Sequence, residues 1–191
     1  TEIYTLSLHD ALPISGKEVI LHIPLEPERG SANWLGPSAI LTHMSKEEIR
    51  EKIIQGLEEV HHAVGMNNHM GSKAMKDKKV INVITDIAKE KELFFLDSKT
   101  TEPILSRELC LEKQVTYLER DLFLDNEKSV NAVKKQMNKL GDIALEKGYA
   151  IAIGHVGTGG NFTVQGIKES FPTLQEKGIQ FVTLKELIEN H

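Results

Sequence analysis

From residue 16 onward the chain alternates short apolar runs with amphipathic stretches. No other feature constrains the fold so tightly. A strand that is apolar along its whole length must be covered on both faces, and helices that follow such strands supply the cover in a parallel sheet. The candidate strands are residues 18–23, 63–67, 93–97, 115–121, 150–155 and 180–184. Several are β-branched or aromatic and nearly continuous in apolarity, so the pattern predicts β/α units in chain order and an α/β fold.

The intervening helices have readable ends. Ser45 and Glu48 have capping-box spacing, and Ile49, Ile53, Leu57 and Val60 then recur on one helical face. Asp77 is placed to cap a second helix carrying Val80, Ile84 and Ile87. A third is expected over residues 127–147, with Val130, Val133, Met137, Leu140 and Ala144 inward and Gly148 as its stop. A fourth follows Gly160, is interrupted by Pro172 and ends at Gly178, and a short helix over 185–189 closes the chain.

At 191 residues, 40% hydrophobic and 27% charged, the chain can bury a core without covalent staples, and residues 16–191 read as a single domain. Its net charge of −5 argues against a nucleic-acid partner, and no apolar run is long enough to span a bilayer. Cys110 is the lone cysteine and cannot form an internal disulfide. Residues 1–15, TEIYTLSLHDALPIS, lack the basic start and apolar centre of a signal peptide and read as a non-native leader. Residues 24–42 form the one long loop, with three prolines and the only tryptophan, Trp34, expected to be buried beside a site.

The polar residues fall where β/α folds bind ligands, at the carboxyl ends of strands. The first candidate strand ends in His22, and the second runs into Asn67, Asn68 and His69. The third ends in Asp97 and Ser98, the fourth in Arg120 and Asp121, and the fifth in His155. Each has a plain alternative. Asp97 and Asp121 are also turn or cap formers, Asn67 and Asn68 suit a turn, and Arg120 suits a surface ion pair. Their joint placement favours one cleft holding histidines, carboxylates and an arginine.

In order and spacing, GKEVILHIPLEP, VGMNNHMGS, FFLDSKTT, RDLFLDN and IAIGH resemble consecutive motifs of the divergent polysaccharide deacetylase family. The resemblance covers nearly everything from Gly16 to the last helix. It implies a distorted (β/α) barrel related to the chitooligosaccharide deacetylase fold, and a periplasmic or extracellular setting. The better-known relatives bind a divalent metal through one aspartate and two histidines, and remove acetyl groups from N-acetylated sugars. By that resemblance His22 and His69 take metal positions, with zinc the favoured ion. His155 becomes the acid that protonates the leaving amine, with Asp97, Asp121 and Arg120 orienting the reacting groups. Asn67, Asn68, Trp34 and Ser98 face the carbohydrate.

Two departures from the family pattern matter. Members begin with two strands ahead of the LHIP segment, the first carrying an aspartate pair, and residues 1–15 supply no counterpart; the chain is therefore expected to be a truncated, inactive fragment. The family also lacks the compact H-x-x-x-H pair of better-known deacetylases, so the metal assignment of His22 and His69 is a geometric inference. A glycoside hydrolase would use Asp97 and Asp121 but leave His22, His69 and His155 without roles. A non-catalytic sugar-binding module on the same barrel is the other alternative.

Overall fold

The computed structural model describes residues 17–30, 35–102, 104–155, 157 and 160–190. They fall into two compact units: residues up to Leu118 together with Thr183–Glu189, and Glu119–Val182 with Asn190.

The first unit is built on parallel strands β1 (Val19–Leu25), β2 (Ala63–Met70) and β3 (Phe94–Asp97), with β4 (Tyr117–Glu119) beyond them in the order β1-β2-β3-β4. The register sets His22 beside Asn67, Pro24 beside His69, and Asn67 beside Leu96. Helix α1 (Lys46–Glu59) crosses between β1 and β2, and α2 (Lys78–Glu90) between β2 and β3 after a single 3₁₀ turn at Ala74–Lys76. Both start where the sequence says. The Ser45 hydroxyl accepts from the Glu48 amide at 3.1 Å and the Glu48 carboxylate accepts from the Ser45 amide at 2.7 Å. Asp77 accepts from the amides of Lys79 and Val80. Ile49, Ile53, Val80, Ile84 and Ile87 are buried with Ile23, Leu25, Met66 and Phe95 in one core. At Gly65 a Cβ would lie 2.4 Å from the Phe94 ring, so the strand needs glycine there for packing.

Helix α3 (Ile104–Lys113) was not foreseen. Its pattern is inverted: Ile104 and Leu111 are exposed while Ser106 is buried beside Leu109 and Cys110. An inward serine and outward aliphatics erase the apolar stripe that marks a helix in sequence.

In the second unit β5 (Leu122–Phe123) pairs in parallel with β6 (Ala152–Ile153). The strand expected over 115–121 is thus cut back to β4, and β5 begins after Arg120 and Asp121 in a different sheet. Helix α4 (Val130–Lys147) begins at Ser129, whose hydroxyl accepts from the Ala132 amide, and stops at Gly148 with φ +94°. It starts three residues later than the sequence suggested. Helix α5 (Gly160–Glu176) continues through Pro172 instead of breaking there. Two glycines let α4 and α5 approach closely, with a Cβ at Gly166 falling 2.5 Å from Val133 and one at Gly141 falling 2.7 Å from Leu174. Leu122, Leu124, Val133, Met137 and Leu174 form this unit's own core.

The strand expected over 180–184 is absent. Thr183 and Glu186 instead form a reciprocal cap for helix α6 (Leu184–Glu189), with the Thr183 amide donating to the Glu186 carboxylate at 2.7 Å and the Glu186 amide to the Thr183 hydroxyl at 3.2 Å. That T-x-x-E signal was present in the sequence and outweighs the β-propensity of Phe181 and Val182. What is established is an α/β architecture with parallel sheets and helices. No helix among the described residues is long and apolar enough to cross a membrane.

Candidate functional site

In the first unit the carboxyl ends of β1, β2 and β3 carry the polar residues. A strand's period of two puts His22 and Pro24 on one face of β1, and Asn67 and His69 on one face of β2. The parallel register then brings the His22 and His69 rings edge to face, with centroids 4.9 Å apart. Beside them is a buried polar group. Asn67 and Asn68 are 3% and 1% exposed and Ser98 is 3% exposed, so each must find partners inside the protein.

They find one another. The Asn67 side-chain NH₂ donates to the Leu96 carbonyl and to the Ser98 hydroxyl, both at 2.7 Å, and its oxygen lies 2.6 Å from His22 Nδ1. The Ser98 hydroxyl donates to the Asn68 carbonyl at 2.8 Å, and the Asn68 side-chain oxygen accepts from the Ser98 amide. The Asn68 NH₂ donates to the Met70 carbonyl and to Thr100 Oγ1. Among the described residues no buried side-chain nitrogen or oxygen lacks a partner. The pair that sequence reasoning placed toward a substrate is therefore buried, along with Ser98, and of the three Asn67 is the one bonded to His22.

Asp97 is also enclosed, at 1% exposure. Its Oδ2 accepts from the Ser106 hydroxyl at 2.6 Å and from the Tyr117 hydroxyl at 3.2 Å, while Oδ1 accepts from the Lys99 amide at 2.7 Å. Ser106 and Tyr117 were missed in the sequence, where nothing marks residues 9 and 20 positions away as partners of one carboxylate.

In the second unit His155 lies two residues past β6 and is held by Asp125, not by Asp121. Asp125 accepts from the His155 backbone amide, from its ring Nδ1 at 2.9 Å, and from the Thr163 hydroxyl at 3.1 Å. Burial pushes the Asp125 carboxyl up, but the donors from His155 and Thr163 outweigh it and bring it below its ordinary value. The imidazole stays 60% exposed while Asp125 is 9% exposed, so an open ring is held by a nearly buried carboxylate. The Phe123 ring stacks on His155 with centroids 5.8 Å apart, and the Arg120 guanidinium sits 3.8 Å from the Phe123 centroid.

Asp121 faces elsewhere. It accepts from Lys147 at 3.0 Å and from the Ile151 amide at 2.8 Å, tying the end of α4 to the chain entering β6. Both aspartates of RDLFLDN suit a strand end, and only the fold says which one meets the histidine. Trp34 lies outside the described residues. Among the described residues no three histidines, cysteines or carboxylates gather where a metal ion could be held. The structure thus joins His22, His69, Asn67, Asn68 and Ser98 in one unit, and Arg120 and His155, through Phe123, in the other.

Comparison with known proteins matches residues 4–188 to a family described as divergent polysaccharide deacetylase. An uncharacterized protein of Haemophilus influenzae is 33% identical over 140 residues, which cover 73% of this chain and 49% of that protein. The uncharacterized protein YibQ of Escherichia coli is 33% identical over 141 residues, covering 74% of this chain and 44% of that protein. The aligned part is thus a little under half the length of these curated relatives. The crystal structure of an uncharacterized protein from Agrobacterium tumefaciens superposes with a TM-score of 0.85 at 20% identity, covering 92% of this chain and 70% of that one. At that identity the superposition shows the fold alone.

Proposed function

Since the chain belongs to the divergent polysaccharide deacetylase family, we propose that the protein is a metal-dependent hydrolase that removes N-acetyl groups from a polysaccharide or envelope sugar. The observation that carries this reading is the meeting of His22 and His69 at the strand ends, 4.9 Å between centroids, beside a fully hydrogen-bonded buried polar group. Two imidazoles suit two coordination positions of Zn²⁺ or a similar divalent ion. They fall short of a three-residue set, and Asp97 spends both oxygens on Ser106, Tyr117 and Lys99. When bound, the ion would supply a polarised water for attack on an acetamide carbonyl.

The chain's own residues supply the proton chemistry. Asp125 holds the His155 ring through Nδ1, which leaves Nε2 as the nitrogen that passes a proton to a leaving amine. The Phe123 ring stacks on that imidazole, and Arg120 lies over the Phe123 ring. The distorted barrel of the polysaccharide deacetylase type is part of the same proposal, supported by parallel β/α units in chain order.

One observation favours a second reading, a sugar-binding module without catalysis: among the described residues no three-residue metal set is present. A glycoside hydrolase is less favoured, since Asp97 and Asp121 both spend their oxygens on protein donors. Acetate release from N-acetylated oligosaccharides, followed with added Zn²⁺ for the full-length protein and for His22→Ala and His155→Ala, tests these readings. Release that both substitutions abolish supports the deacetylase. Oligosaccharide binding without release supports the module, and neither binding nor release overturns both.

A further inference from the structure

We propose that Asn67 is a positioning residue that sets the tautomer of His22, so that the neutral ring carries its proton on Nδ1 and its lone pair on Nε2. The inference rests on the reading of His22 as a ligand or proton-handling group, and it deepens that reading by naming the atom that acts.

A side-chain amide has a donor end and an acceptor end, and the surroundings decide which way it points. One end of Asn67 faces the Leu96 carbonyl, which can only accept. The same end faces Ser98 Oγ, whose proton is already donated to the Asn68 carbonyl, so this oxygen also accepts. The NH₂ must therefore lie at this end. The Asn67 oxygen is then left toward His22 Nδ1 at 2.6 Å, and an oxygen acceptor requires N–H at that ring atom.

The orientation is reinforced from the next residue. Ser98 keeps its hydroxyl on the Asn68 carbonyl at 2.8 Å, and its amide is held by the Asn68 side-chain oxygen. Asn68 is itself oriented by the Met70 carbonyl and by Thr100 Oγ1, whose proton goes to that same carbonyl. Reversing Asn67 would set its oxygen against the Leu96 carbonyl and leave two buried groups mismatched. The sequence NNH followed by DS, spread over two strands, is thus a proton-ordered support for one imidazole. An orienting partner on the far nitrogen is how proteins commonly fix which histidine atom reacts.

The test reads the ring directly. Long-range ¹⁵N–¹H correlation NMR of the labelled protein, at a pH where His22 is neutral, distinguishes Nδ1–H from Nε2–H, and a His22→Gln variant identifies the signal. The wild type is expected in the Nδ1–H form. Asn67→Leu, close in size but without the acceptor, should move the tautomer ratio toward Nε2–H by about 3- to 10-fold, the equivalent of one net hydrogen bond. Wild-type His22 in the Nε2–H form overturns the proposal whether or not the variant folds, and so does an unchanged ratio in a folded Asn67→Leu protein. Added Zn²⁺ that leaves the His22 nitrogens unshifted counts against the metal reading and leaves the tautomer result standing.

Discussion

Replacing Asp97 with alanine tests whether this buried carboxylate holds the sheet to helix α3. Its two shortest bonds, from the Ser106 hydroxyl at 2.6 Å and the Lys99 amide at 2.7 Å, are both to an acceptor 1% exposed. Hydrogen bonds to charged groups are worth about 1.5–3 kcal/mol each. Lys99 lies near solvent, where water replaces part of its loss, so the expected cost of Asp97→Ala is about 3–4 kcal/mol. Ser106→Ala alone should cost about 1–2 kcal/mol, since Asp97 keeps two donors. In the double variant the Ser106 hydroxyl no longer loses an acceptor, so the two costs should fall short of additive by about 1–2 kcal/mol. Urea unfolding at neutral pH, followed by far-ultraviolet circular dichroism, gives all three values if the slope is unchanged. A cost for Asp97→Ala below about 1 kcal/mol, or additivity within about 0.5 kcal/mol, would refute the reasoning and return Asp97 to the candidates for chemistry.

Glu26 should make the protein acid-sensitive. Burial opposes its charge, but the ammonium of Lys73 and the amide and hydroxyl of Thr42 overcome that and hold the carboxyl down from 4.5 to about 2. A carboxyl depressed in the folded state stabilises above its unfolded value and loses that stabilisation as pH falls toward its folded value. After solvent screening of the Lys73 pair this amounts to about 1–2 kcal/mol lost between pH 4.5 and 2. Glu26→Gln should flatten the urea midpoint over that window, and an unaltered acid slope contradicts the assignment. Gly65→Ala forces the Phe94 ring aside and should destabilise by about 1–3 kcal/mol, with Phe94→Leu recovering part of the loss; a neutral Gly65→Ala would show that the strand has room to move.

The sequence by itself determined the elements whose causes lie within a few residues. The Ser45–Glu48 box, the Asp77 cap and the Gly148 stop act over one helical turn, and the inward stripes of α1 and α2 follow from period alone. The strand expected over 180–184 was a wrong reading, although Thr183 and Glu186 stand at capping-box spacing within the same few residues. Strand ends carrying His22, His69, Asp97 and His155 were visible from local pattern, and the family followed from their order.

Only the tertiary structure decided which of those residues meet. His22 and Asn67 are 45 positions apart, Asp97 and Tyr117 are 20 apart, and His155 and Asp125 are 30 apart. Parallel strands cannot be joined by a tight turn, so their register is set by whole crossover helices packing on the sheet. A one-residue change in that packing would send every side chain of a strand to the other face. No local pattern could therefore choose Asp125 over Asp121, or turn Asn67 and Ser98 from surface contacts into a buried support. Side-chain chemistry supplied the candidates, and register, which is a sum over distant packing contacts, selected among them.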